Sequence, residues 1–80
     1  LQEGNRLFNA RNYTDAAVAF EQAVAYDASN VESIYQLAQS YRIIGENEKA
    51  VQAYDKVLEL FPDTWQADKA QSYKAQLSGN

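Results

Sequence analysis

Eighty residues with no cysteine and no histidine exclude disulfides and the usual zinc sites as staples, so the stability of this one small domain has to come from packed side chains. Eleven acidic residues against seven scattered basic ones give a formal charge of −4, which argues against a phosphate-backbone binder and so against nucleic acid as a partner. No apolar run approaches the roughly 20 residues of a membrane span, and the chain opens at Leu1 without a basic-then-apolar leader, reading as a piece of a longer protein.

One proline and three glycines are all that interrupt long stretches of Ala, Gln, Glu, Lys and Leu, and the spacing predicts helices throughout. Gly4, Leu7, Phe8 and Ala10 sketch a short first helix, cut at its N-terminus. A second starts after Asn12, with Ala16, Ala19, Phe20, Ala23 and Val24 at three- and four-residue steps on one face. The turn before it requires a left-handed residue, Arg11 or Asn12, and asparagine tolerates that conformation better. A third helix carries Ile34, Leu37, Ala38, Tyr41 and Ile44, with a capping box from Ser29 to Glu32 at its start and Gly45 as a left-handed stop. The fourth bears Ala50, Ala53, Tyr54, Val57 and Leu58, and Pro62 ends it. Asp63 or Thr64 caps a fifth, from about Trp65 to Leu77, whose narrow stripe is Ala67, Ala70, Tyr73 and Leu77. Ser78, Gly79 and Asn80 form a fraying tail.

The second and fourth helices are one phrase written twice. NYTDAAVAFEQAV begins at Asn12 and ENEKAVQAYDKVL at Glu46, 34 residues later. A helical hairpin repeated at a fixed period cannot bury both its faces alone, so the repeat implies stacking of neighbours. Ile34, Leu37, Ala38, Tyr41, Ala50, Tyr54 and Pro62 resemble the tetratricopeptide repeat, in which Trp, Leu, Gly, Tyr, Ala, Phe and Pro recur at set places within about 34 residues. In the first repeat Gly4, Ala16 and Phe20 agree, whereas Leu7 replaces tyrosine, Ala28 replaces proline, and Glu3 stands where leucine is expected. The resemblance implies an all-α, tetratricopeptide-like alpha-alpha superhelix of two helical hairpins plus a C-terminal capping helix. Repeat one then spans about 1–30 with a truncated first helix, repeat two about 31–64, and the cap about 65–78. Gly4, Ala16, Ala38 and Ala50 are small where helices must approach closely, and Phe20, Tyr41 and Tyr54 are the large residues that fill the wedge between hairpins.

Nothing in the sequence suggests catalysis. No Ser-x-x-Lys, Gly-x-Ser-x-Gly or Gly-rich phosphate loop occurs, so the chain reads as a non-enzyme with no cofactor and no metal. Glu46 and Glu48 sit at a helix start, where they suit the dipole, and Asp15, Glu21, Asp55 and Glu59 read as solvated faces. The resemblance implies a protein-binding module whose inner helices line a concave groove. Carried onto this sequence, that groove collects Asn5, Phe8 and Asn9 from the first helix, Glu32, Tyr35, Gln39 and Arg42 from the third, and Gln66, Lys69 and Tyr73 from the fifth. Partner-binding residues are expected at Asn5, Asn9, Tyr35, Gln39, Arg42 and Lys69, which offer amides, charge and an aromatic ring to an extended or helical peptide. Tyr35 lies off the apolar stripe, where simple exposure or contact with the fifth helix is the alternative. Tyr41 and Tyr54 are assigned to the core and Tyr13 to the underside of the hairpin turn, while Tyr26 stays open.

Related co-chaperone repeats hold acidic chaperone tails with a clamp of Lys, Asn, Asn, Lys and Arg. The matching places here are Leu1, Asn5, Gln36, Gln66 and Ala70, so that ligand class is not expected. The segment PDTWQADKA is similar to linkers between repeats in some bacterial cell-envelope members of the family, a pointer toward that location. The other reading is a structural spacer, or a homodimer formed through the truncated N-terminal edge.

Overall fold

Small residues face large ones all along the core. Ala16, Ala38, Ala50 and Ala70 are fully buried, as are Phe20, Tyr54 and Val57, with Ile34 nearly so. Each large side chain contributes on the order of 1.5–3 kcal/mol by leaving water, and the alanines let the backbones come close enough to bury them. Gly4 shows the constraint most sharply, because a Cβ there would lie 2.6 Å from the Phe20 ring.

The computed structural model describes residues 2–78, which form α1 (Gln2–Asn9), α2 (Tyr13–Tyr26), α3 (Val31–Ile43), α4 (Asn47–Leu60) and α5 (Trp65–Leu77). Each helix packs on the next one in the chain, and α3 also touches α5. The architecture is therefore all-α, two hairpins (α1–α2 and α3–α4) followed by a capping helix, layered in series. One continuous apolar cluster runs through the stack, from Phe20 through Ile34 and Tyr54 to Ala70.

The two hairpin turns close identically. Arg11 and Gly45 occupy the left-handed region, with φ of 65° and 85°. At the first turn the Arg11 N–H donates to the Phe8 carbonyl and the Asn12 N–H to that of Leu7. At the second, the Gly45 N–H donates to Arg42 and the Glu46 N–H to Tyr41. This is the paired closure of a Schellman motif, which fixes which residue must be left-handed. Asparagine's conformational tolerance does not decide the matter, and Asn12 stays at negative φ as the residue before α2.

Two more local expectations are corrected. The cap of α3 is Asn30, whose side chain accepts the Ser33 N–H at 3.1 Å. Ser29 instead donates its own N–H to the Asp27 carboxylate at 3.0 Å, and is thereby drawn away from the helix. Ile44 is the residue after the last turn of α3, partly exposed, rather than a member of its stripe. At α5 the cap is Thr64, which accepts the Ala67 N–H at 3.2 Å. Ser78 closes that helix, and the tail residues Gly79 and Asn80 lie outside the described residues.

Candidate functional site

The most organised polar cluster lies where α3, α4 and α5 meet. Tyr54 projects from α4, wholly buried, and its hydroxyl emerges between Gln39 and Arg42 of α3. That hydroxyl donates to the Gln39 amide oxygen and accepts from Arg42 Nε at 3.2 Å. The pairing satisfies a phenol that burial would otherwise leave orphaned. Burial pushes the Tyr54 hydroxyl up to about 12, and the Arg42 guanidinium offsets only part of that rise. On the far side the Tyr54 ring stacks on Tyr73 of α5, with centroids 5.7 Å apart and an interplanar angle of 19°.

Arg42 completes the assembly. Its guanidinium carbon lies 4.2 Å above the centroid of Tyr73, so the half-buried side chain is held by an aromatic face below and by the Tyr54 hydroxyl at Nε. Its Nη groups make no ion pair among the described residues. An arginine held in this way presents a planar fork of donors already oriented for a carboxylate or a peptide carbonyl. Lys69 stands four residues, about one helical turn, before Tyr73 on α5, exposed and likewise without an ion pair among the described residues.

The tetratricopeptide repeat profile matches residues 1–72, nine-tenths of the chain, and so runs from α1 into the capping helix. The chain belongs to the tetratricopeptide repeat family. Among curated proteins no match is found. Members of this family are generally protein–protein interaction modules, and their repeats are typically non-catalytic. Among the described residues of this tetratricopeptide repeat chain, no helix is long and apolar enough to cross a membrane, and no group of three or more carboxylates is placed to hold a metal ion.

Of the six residues expected in the groove of this tetratricopeptide repeat chain, the structure joins Gln39 and Arg42 through Tyr54 and sets Lys69 one turn from their stacking partner. Asn5 and Asn9 lie on α1, half-buried and exposed, and their side chains make no hydrogen bond among the described residues. Tyr35 is not on an open face. Only 7 % of it is exposed, its ring meeting Tyr54 at 6.2 Å and Trp65 edge-on at 5.4 Å. The reason is the packing of α5 on α3, which covers one side of α3 beyond its own stripe with the first residue of the capping helix. Contact with the fifth helix, the alternative weighed from sequence, is what the ring makes.

Sequence reasoning places Tyr73 in the groove but misses its service as a floor for Arg42, and it misses the Tyr54 hydroxyl as the hub. One signal was available: a core tyrosine demands a polar partner for its hydroxyl, although only the packing of α3 on α4 decides that Gln39 and Arg42 supply it. A second hub answers to the same rule. The Tyr41 hydroxyl donates to the Glu21 carboxylate, so Glu21 ties α2 to α3 instead of merely facing water. Tyr13 packs edge-on against Phe8 at 5.1 Å, beneath the first turn. Tyr26 is 94 % exposed. Of the places that match the chaperone-tail clamp, Ala70 is fully buried, and Leu1 lies outside the described residues.

Proposed function

We propose that this tetratricopeptide repeat chain is a non-catalytic binding module that receives a peptide, or a segment of a partner protein, along the face shared by α1, α3 and α5. Arg42 is the anchor, taking a carboxylate or carbonyl of the ligand on its Nη edge. Lys69 adds charge beside it, Gln39 steadies the platform through Tyr54, and Asn5 and Asn9 offer amides to the ligand backbone at the other end. The single observation that carries this reading is the guanidinium held over Tyr73 with Nε tied to Tyr54 and its Nη groups unpaired among the described residues. Tyr35, buried against Tyr54 and Trp65, supports the platform from below and does not touch the ligand.

Selection of peptides from a displayed random library against the whole chain, followed by calorimetry of the recovered sequences, tests the proposal. Arg42→Ala should weaken binding by about thirtyfold, the loss of roughly 2 kcal/mol that a central arginine carries. Gln71→Ala, an exposed change on the same helix as Lys69, serves as the control. Equal affinity for wild type and Arg42→Ala would remove Arg42 as anchor.

Self-association is a second reading, favoured by one feature. Glu3 of α1 and Ala19, Ala23 and Tyr26 of α2 line part of a hollow of about 470 Å³, whose remaining lining residues, from Gln22 to Ser33, are polar. Ala53 and Val57, the residues 34 places after Ala19 and Ala23, are buried, whereas Ala19 and Ala23 are only half-covered. Light scattering over a concentration series separates this reading, which expects a dimer, from a monomeric groove binder.

A further inference from the structure

Between α2, α3 and α4 lies a separate hollow of about 240 Å³. Its floor is apolar, made by Val24, Ile34, Leu37 and Ala53, and its rim on α4 carries Lys49 and Lys56 with the neutral Gln52 between them. Both lysines are exposed, and neither forms an ion pair among the described residues, although the chain holds eleven acids and a net charge of −4. Lys49 lies 5.7 Å from the centroid of Tyr41, which also lines the hollow, and the Tyr41 hydroxyl donates to the Glu21 carboxylate of α2. The hollow therefore presents a cationic edge over a hydrocarbon floor within an acidic protein.

The spacing of the two lysines selects the occupant. Seven residues on one helix are two turns, about 10 Å at 1.5 Å per residue, with both side chains on the same face. A helical ligand reproduces that spacing when it carries carboxylates at i and i+7, with apolar side chains at i+3 and i+4 between them on the same face. The apolar pair then meets the floor while the two acids meet the two lysines. We infer that this outer hollow docks an acidic amphipathic helix of a partner protein, at a place distinct from the Arg42 platform. Nucleic acid fits poorly, since two lysines in a chain of net charge −4 do not make a phosphate-tracking surface. A second copy also fits poorly. The nearest match on this chain is Glu48, Val51, Gln52 and Asp55, where Val51 is half-buried and Asp55 is held by Lys74 at 2.7 Å.

The probe is an alanine-based peptide of about 20 residues, long enough to be helical when stapled on its outer face, with Glu at i and i+7 and Leu at i+3 and i+4. Titrated into the whole chain, it should bind one to one and shift the amide signals of Val24, Ala53 and Lys56. Lys49→Glu with Lys56→Glu should weaken it by at least about tenfold, as should raising salt to about 0.5 M. Lys49→Arg with Lys56→Arg should retain it, and Arg42→Ala should bind it as wild type does, so failure of the groove proposal leaves this one standing. Helical content and melting temperature should be unchanged in all four lysine substitutions, because both positions are exposed. Four results would overturn the inference: no binding, equal binding of a peptide with Lys in place of both Glu residues, shifts centred on α3 and α5, or a dimer in sedimentation that occupies the hollow without peptide.

Discussion

The Arg42 guanidinium lies 4.2 Å over the ring of Tyr73 and so ties the last turn of α3 to the middle of α5. The contact is both a structural clasp for the capping helix and the arrangement that orients the proposed anchor. A double-mutant cycle of Arg42→Ala and Tyr73→Leu in urea unfolding should give a coupling of about 0.5–1 kcal/mol, the range of a partly exposed cation–π pair. Purely additive losses would mean that the stacking contributes nothing.

Tyr35→Ala should destabilise the chain by roughly 3 kcal/mol, because it removes a ring packed between Tyr54 and Trp65. Tyr35→Phe should cost much less, since the ring and its contacts remain. A melting temperature for Tyr35→Ala equal to that of wild type would show that the capping helix does not cover this ring in solution.

Tyr35 also marks how far the sequence could be read. The stripes of α1 to α4, the period of 34 and the stop at Gly45 are local or repeated signals, and they specify two hairpins and a cap. Burial of Tyr35 depends on where a fifth helix of changed register lands, and no periodicity within α3 reports that. Gln39 and Arg42 were legible as a polar pair on one face; that Tyr54 and Tyr73 would hold them is a matter of tertiary packing. Asn30 as the cap of α3 was obscured by Ser29, whose hydroxyl and N–H are taken by Asp27.

Arg11→Gly should stabilise the chain by about 1 kcal/mol. The first turn holds a side-chain-bearing residue at φ 65°, where an L-residue pays roughly 1–2 kcal/mol and glycine pays little. The gain is reduced by the greater freedom of glycine in the unfolded chain. Gly45→Ala should destabilise at the equivalent turn, where φ is 85° and nothing crowds the added methyl, so strain alone is read. Opposite signs for the two substitutions in thermal unfolding check the shared closure; loss of stability in Arg11→Gly would contradict it.

Alkaline pH should loosen the α3–α4–α5 junction. The Tyr54 hydroxyl is raised from an ordinary value near 10 to about 12, chiefly by burial, so the folded chain holds this proton more tightly than the unfolded one. The associated stability is fully present below about pH 10 and is lost as pH rises toward about 12, at up to about 1.4 kcal/mol per unit. The Tyr35 hydroxyl is raised as well, again mainly by burial, and acts in the same direction. Melting temperatures at about pH 9 and about pH 11 should fall more steeply for wild type than for Tyr54→Phe. Parallel falls would show that Tyr54 ionises as freely in the folded chain as in the unfolded one.

The central claim is that recognition takes place on the face of α1, α3 and α5. Its most direct test is amide chemical-shift mapping of the whole chain with a peptide recovered from library selection. The account predicts the largest shifts at Gln39, Arg42 and Lys69, extending to Asn5 and Asn9 as the ligand lengthens, with their loss in Arg42→Ala. Shifts confined to α2 and α4, unchanged by Arg42→Ala, would contradict it.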